Sequence, residues 1–208
     1  MGRHCARNIV VGEAAAITTR PGFESTSEAR SISPYTQSRA YRKLHMPTSN
    51  QPAAPSDFDF IIGHWDVRHC RLKARLSGCT DWFEFAGLSS TQKILGGFGN
   101  VEDNVLGFPD GEVRAAAFRS FNTDTQTWAI WWLSRQAPHS LDVPVTGSFS
   151  GNVGLFFADD TLDGRPIRIR FTWQSNPGHN PTWEQAFSAD GGETWETNWT
   201  MEFERRDP

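Results

Sequence analysis

The feature that most constrains this chain is a strict two-residue alternation near its C-terminus. In "RPIRIRFTW", Ile167, Ile169, Phe171 and Trp173 share one face, and Arg168, Arg170 and Thr172 share the other. In "TWEQAFS", Trp183, Gln185 and Phe187 oppose Thr182, Glu184 and Ala186. In "WETNWTMEF", Trp195, Thr197, Trp199, Met201 and Phe203 oppose Glu196, Asn198, Thr200 and Glu202. Successive side chains leave opposite faces of a strand, so the pattern describes a sheet with one face packed and one in water. Arginines and glutamates on the wet faces stand where cross-strand pairs form, each contributing about 0.2–1 kcal/mol.

The same period runs back to Trp65. Strands are expected at 64–75, 80–89, 91–95, 101–107, 112–121, 127–134, 144–150, 153–158, 166–174, 182–188 and 194–204. Between them stand the turn phrases "SG", "GGFGN", "FPDG", "NTDTQ", "SGN", "LDG", "NPGHNP" and "ADGG". Only "FDFIIG" reads as a short helix or 3-10 turn. Many antiparallel strands joined by tight turns imply an all-β, up-and-down barrel or a sandwich, and a barrel also removes exposed sheet edges.

Folding begins late. All nine tryptophans lie at or after Trp65, and the first 55 residues contain one phenylalanine, Phe23. Burial of large apolar surface offsets the entropy of ordering a chain, so residues 1–56 are expected to be a disordered extension or untranslated, with Met46 as an alternative start, and 57–206 to be the domain. Residues 1–55 carry seven Lys/Arg against three Asp/Glu, and the remainder thirteen against twenty-one. An acidic body without a basic stripe argues against nucleic acid as a partner. No stretch approaches the roughly 18 apolar residues of a membrane span. Cys5, Cys70 and Cys79 are an odd set with no C-x-x-C pair. Together these features lead to the expectation of a soluble cytoplasmic protein with reduced thiols.

The motifs exclude more than they assign. "GSFSG" places Phe149 where a nucleophile elbow needs serine, and "GGFGN" has no following G-K-[ST]. Glu102–Asp103 and Asp159–Asp160 are neighbouring carboxylates on opposite strand faces and read as solvated flanks of turns. "SADGGETW", Ser188 to Trp195, resembles the Asp-box hairpin of sialidases and other β-proteins: Asp190 caps turn amides, glycine permits positive φ, and Trp195 packs beneath. A single copy is a structural hairpin. On a regular strand His64, Asp66, Arg68 and Cys70 face one way and Trp65, Val67, His69 and Arg71 the other, so His64 and His69 diverge and no metal site is expected.

Gly63-His64-Trp65 on a first strand, an up-and-down series and a closing Arg205-Arg206 resemble the calycin superfamily of lipocalins and fatty-acid-binding proteins. The phrases "DFDFIIGHW", "GCTDWFEFAG", "GNVEDN", "DGRPIRIRFTW" and "WEQAFSADGGETWETNW" are further similar to an uncharacterised bacterial calycin-like family. The resemblance implies an antiparallel barrel in which Trp65 closes one end with Arg205 or Arg206 packed over it. It implies no activity. Against the haem-binding nitrobindins, Trp65 is followed by "DVRH" rather than a glycine-rich run, and no histidine follows His179, so no haem or other cofactor is expected.

The inner face carries more indole and phenyl than a thin core needs, which leaves open an aromatic-lined cavity or a filled core. In the first case Trp65, Trp132, Trp173, Trp183 and Trp199 line the interior. Polar residues on that face are then the candidate contacts of an amphipathic small molecule: His69, Arg71, Arg119, Gln185 and Thr197. An enzyme of the same architecture, an isomerase, cyclase or hydrolase, would use His69 as general base and Arg119 as anion stabiliser. A filled barrel would act through its surface, as a possible homodimer.

Overall fold

A computed structural model describes residues 53–206; the start at Met46 and the sequence before it lie outside the described residues. Ten strands follow one another: β1 (Gly63–Leu72), β2 (Trp82–Ile94), β3 (Gly99–Phe108), β4 (Gly111–Asn122), β5 (Thr127–Ser134), β6 (Val145–Ser150), β7 (Val153–Leu162), β8 (Arg165–Gln174), β9 (Thr182–Ser188) and β10 (Glu196–Arg205). Each pairs antiparallel with its neighbours in sequence, and β1 pairs with β10, so the sheet closes into an antiparallel up-and-down barrel. No helix among the described residues is long and apolar enough to cross a membrane.

Two sequence expectations change. The segments 80–89 and 91–95 are one strand, because Ser89 and Ser90 carry the alternation through without a turn residue. The face assignment at the start of β10 is also reversed: the register with β9 slips between Thr197 and Trp199, and the extra residue is Asn198, fully buried. A bulge of one residue exchanges the faces on its two sides. Trp199, Met201 and Phe203 point inward as expected, whereas Trp195 and Thr197 point out. Trp195 stacks with Phe157 and beneath the Arg170 guanidinium, both on the outer wall.

The Ser188–Trp195 hairpin forms as its motif implies. Asp190 accepts from the backbone N–H and hydroxyl of Thr194 and from the Ser188 hydroxyl, and these bonds hold its carboxyl far below the usual carboxylate range. The outer wall carries the expected ion pairs, among them Arg68–Glu202 at 2.6 Å and Arg170–Glu184 at 3.5 Å. Cys70 and Cys79 are free thiols.

One end of the barrel is plugged by the stretch before β1. Asp59–Ile61 forms a 3-10 turn that drives Phe58 and Ile61 inside, 2% and 0% exposed. Ile61 therefore fills the end with Phe58, and Phe60 packs against them. The Phe58 ring lies 5.0 Å from Trp128, 4.9 Å from Phe149 and 5.9 Å from Phe156 and Trp173. Trp65 sits beside this plug. Its indole N–H donates to Ile61 O at 2.8 Å, and the Arg205 guanidinium stacks 4.1 Å over its ring. Arg205 also donates to the carbonyls of Ile62 and Phe60, so Arg205, not Arg206, is the cap. Gly63 admits that cap: it holds φ +126°, and a Cβ there would lie 2.5 Å from Arg205 Nη1.

Deleting the Phe58 ring leaves a cavity among rings anchored on four strands, β5 to β8, which cannot collapse together. Phe58→Ala is expected to lower unfolding stability by about 3–5 kcal/mol. Urea unfolding checks this, and a change under 1 kcal/mol would show that the turn does not plug the barrel.

Candidate functional site

The inward residues form three zones. The first is the plugged end just described. The second is a polar wall on β2, β3 and β4, where alternation places Ser89, Thr91, Asn100, Glu102, Asn104 and Arg119 inside, each under 5% exposed. Glu102 is thus not a solvated flank. It pairs with Arg119 through Nη2, accepts from Ser89 Oγ at 2.7 Å, and leaves Arg119 Nη1 to Asn100 Oδ1 at 2.8 Å. The guanidinium lies 5.1 Å from both the Phe58 and Trp173 rings. A buried charge requires a partner, and here the chain supplies its own. Arg119 is therefore not a free receptor for a ligand's anion, contrary to the sequence expectation. The wall keeps other capacity: Thr91 Oγ1, Asn104 Nδ2 and Arg119 Nε, with Trp173 Nε1 on β8, are buried without a partner among the described residues.

The third zone lies at the opposite end, around the β1–β2 connection. Phe85, Leu106 and Ala115 are buried there, and Phe83, Phe108, Val113, Trp132 and Trp199 pack on them while remaining partly exposed. His69 belongs to this zone. Its ring stacks flat on Phe85, centroids 4.5 Å apart at 1°, and Nδ1 accepts from Trp199 Nε1 at 3.2 Å. Gly87, on β2 beside it, makes the space: a Cβ there would come within 2.5 Å of His69 Nε2 and 2.8 Å of Val105 O. The signal for this was a glycine inside a strand, "FEFAGL", which marks close approach of another group.

Burial pushes the His69 imidazolium down to about 4. At neutral pH the ring is uncharged, its Nδ1 is already bonded, and it is a weak base. Arg119 has a separate set of partners, Asn100, Glu102, Phe58 and Trp173, none of which His69 touches. The geometry does not assemble these two residues into a general base with an anion stabiliser.

The other candidates divide between ends. Trp65 and Trp173 are at the plug, 3% and 2% exposed. Trp183 lies between them and the open zone, 5.8 Å from Trp199 and 6.5 Å from Trp173. Trp132, Trp199 and Arg71 line the open zone, with the Arg71 guanidinium 4.7 Å over Trp199 and 5.5 Å over Phe108. Gln185 faces inward opposite Trp199 and donates to Asn198 Oδ1 at 2.7 Å, so the bulge residue orients it. Thr197 is outside. Phe83, Phe85 and Phe108 belong to the site but were not singled out by sequence, because a phenylalanine on an apolar face looks the same in a filled core.

A concavity of about 710 Å³ lies on the outer wall instead, between Asp66, Arg68, Glu84, Leu88, Val105 and Glu202. Arg68 there is matched by Glu84 and Glu202 in contact with water. Exposed, mutually neutralised charges orient little, so the interior is the better candidate.

Two outcomes follow. Glu102→Gln strands a buried guanidinium and is expected to destabilise by about 3–5 kcal/mol, whereas the double change Glu102→Leu with Arg119→Met recovers most of that loss. Equal unfolding midpoints for the single and double variants would refute this. For His69, the unfolded imidazole titrates near 6.5 and the folded one near 4. Between these values the unfolded chain binds the extra proton. The His69 contribution is thus complete above pH 6.5 and is lost as pH falls towards 4, by about 3 kcal/mol in all. Between pH 7 and 4.5 the wild type should lose on the order of 2 kcal/mol more stability than His69→Gln; parallel losses would assign the titration elsewhere.

No protein-family model matches this chain, and no curated protein matches it either.

Proposed function

We propose that this protein is a calycin-like barrel that binds a small apolar or amphipathic molecule in its interior, entering at the end that carries the β1–β2 connection. One observation carries the reading: inward-facing Phe83, Phe108, Trp132 and Trp199 remain partly exposed at that end, while Phe58, Ile61 and Trp65 seal the other. Phe60, Phe121 and Phe149 around the plug are also partly exposed, but there Phe58 and Ile61 fill the space between them, whereas an aromatic-lined mouth is the usual form of a ligand site in a barrel. The barrel size agrees. Diameter grows with strand number, eight strands already enclose one small ligand in lipocalins, and ten give a wider interior. The unpartnered donors on the polar wall support a ligand, or the water beneath it, that accepts hydrogen bonds. The free thiols Cys70 and Cys79 fit a reducing, cytoplasmic setting.

Titration with the neutral probe N-phenyl-1-naphthylamine is expected to show saturable binding near one per chain with tryptophan quenching. Trp199→Ala and Phe108→Ala should each weaken it by about tenfold or more, the loss of roughly 1.4 kcal/mol of contact. Absence of any uptake, together with native mass spectrometry showing an empty protein, would identify a filled core and end this reading.

A further inference from the structure

The open end holds two guanidinium groups that the fold does not neutralise. Arg71 is the last inward residue of β1 before Leu72, in register with Trp199 and Phe83. Arg75 follows in the β1–β2 connection, its guanidinium 5.6 Å over Phe187. Arg68, Arg114, Arg119, Arg168 and Arg170 each have a carboxylate within 4 Å, whereas neither Arg71 nor Arg75 has one among the described residues.

The local charges sharpen this. The acids that act on Arg75, Asp163 and Glu196, do so from beyond ion-pair distance, and Glu196 Oε1 is committed to the Leu76 N–H at 2.6 Å. Arg71 feels only the like charge of Arg75, and burial with that repulsion pushes its guanidinium down to about 10. A partly buried cation beside another cation is unfavourable unless an anion completes the site. Trp199 and Phe108 both lie against the Arg71 guanidinium, on neighbouring sides of it. Its N–H edge remains, and that edge is the part that grips an oxyanion in a two-point contact.

We infer that the ligand of this barrel is an organic anion, with its apolar body among Phe83, Phe108, Trp132 and Trp199 and its carboxylate or phosphate held at the open end by Arg71 and Arg75. The inference rests on the binding function proposed above and adds the chemistry of the ligand's head. It also replaces Arg119, whose charge Glu102 already matches, by Arg71 as the residue that selects the anion. Arg71 and Arg75 are positioned to recognise charge, and the rings to recognise the body.

The test displaces N-phenyl-1-naphthylamine from the full chain with a matched series: decanol, decanoate and decyl phosphate. Decanoate or decyl phosphate should bind at least tenfold more tightly than decanol, and whichever of the two leads identifies the head group. Added salt should weaken the anions and leave decanol unchanged. Arg71→Met, which keeps an apolar stem over Trp199, should bring the anion-to-decanol ratio close to one, and Arg75→Met should lower it in part. Unfolding midpoints report that both variants fold, and taking the anion-to-decanol ratio within each variant removes any change common to neutral and charged ligands. Equal binding of anion and alcohol, or a preference that survives both substitutions, overturns the anion site while leaving the barrel a binder of neutral molecules. Failure of every probe, the neutral one included, overturns both readings.

Discussion

The pairing of β1 with β10 is the constraint on which the rest of this structure depends. Seven residue pairs from Trp65↔Arg205 to Arg71↔Trp199 join the first strand to the last, and without them the sheet has two open edges and no interior. The two ends of this seam are the two ends of the molecule. At one, the Arg205 guanidinium caps Trp65 and ties to the carbonyls of the segment that plugs the barrel. At the other, the Arg71 guanidinium lies over Trp199 with no acceptor among the described residues. The same residue types in the same cation-over-indole arrangement close one end and leave the other chemically unsatisfied. The difference is that only the first finds backbone acceptors.

Between these ends the interior is more polar than its aromatic content suggests. The Arg119–Glu102 pair with Asn100 and Ser89 stabilises a particular register of β2, β3 and β4, since sliding one strand by a residue would put a charge against the opposite face. That pair sits against Phe58 and Trp173, so the plug and the polar wall hold each other. The aromatic cup is built on the remaining half, where His69 stays neutral and Trp199 is fixed by its bond to it.

Much of the fold was legible in the residues because period-two patterning is a local property. Alternation placed Trp65, Val67 and His69 inside and Asp66 and Arg68 outside, and the burial of β1 follows that order. Glycine-rich phrases placed the turns. The failures share a cause. Nothing in "WETNWT" announces that Asn198 is an extra residue, because a bulge is decided by how β10 must meet β9 and close on β1. Glu102 looked like the flank of a turn because its partner Arg119 is seventeen residues away, on the next strand.

By itself, then, the sequence determined most of the strand series, the wet and dry faces outside the β10 bulge, the hairpin at Ser188–Trp195 and the tryptophan that closes a barrel. These depend on neighbours in the chain and on a repeat of two. The tertiary structure alone decided which buried charges are matched. Arg71 and Arg119 carry the same side chain on the same kind of apolar face. The pairing of β3 with β4 gives Glu102 to one, and the path of the β1–β2 connection leaves Arg75 beside the other, because the partner of a buried charge is set by distance in space and not by the alternation of a single strand.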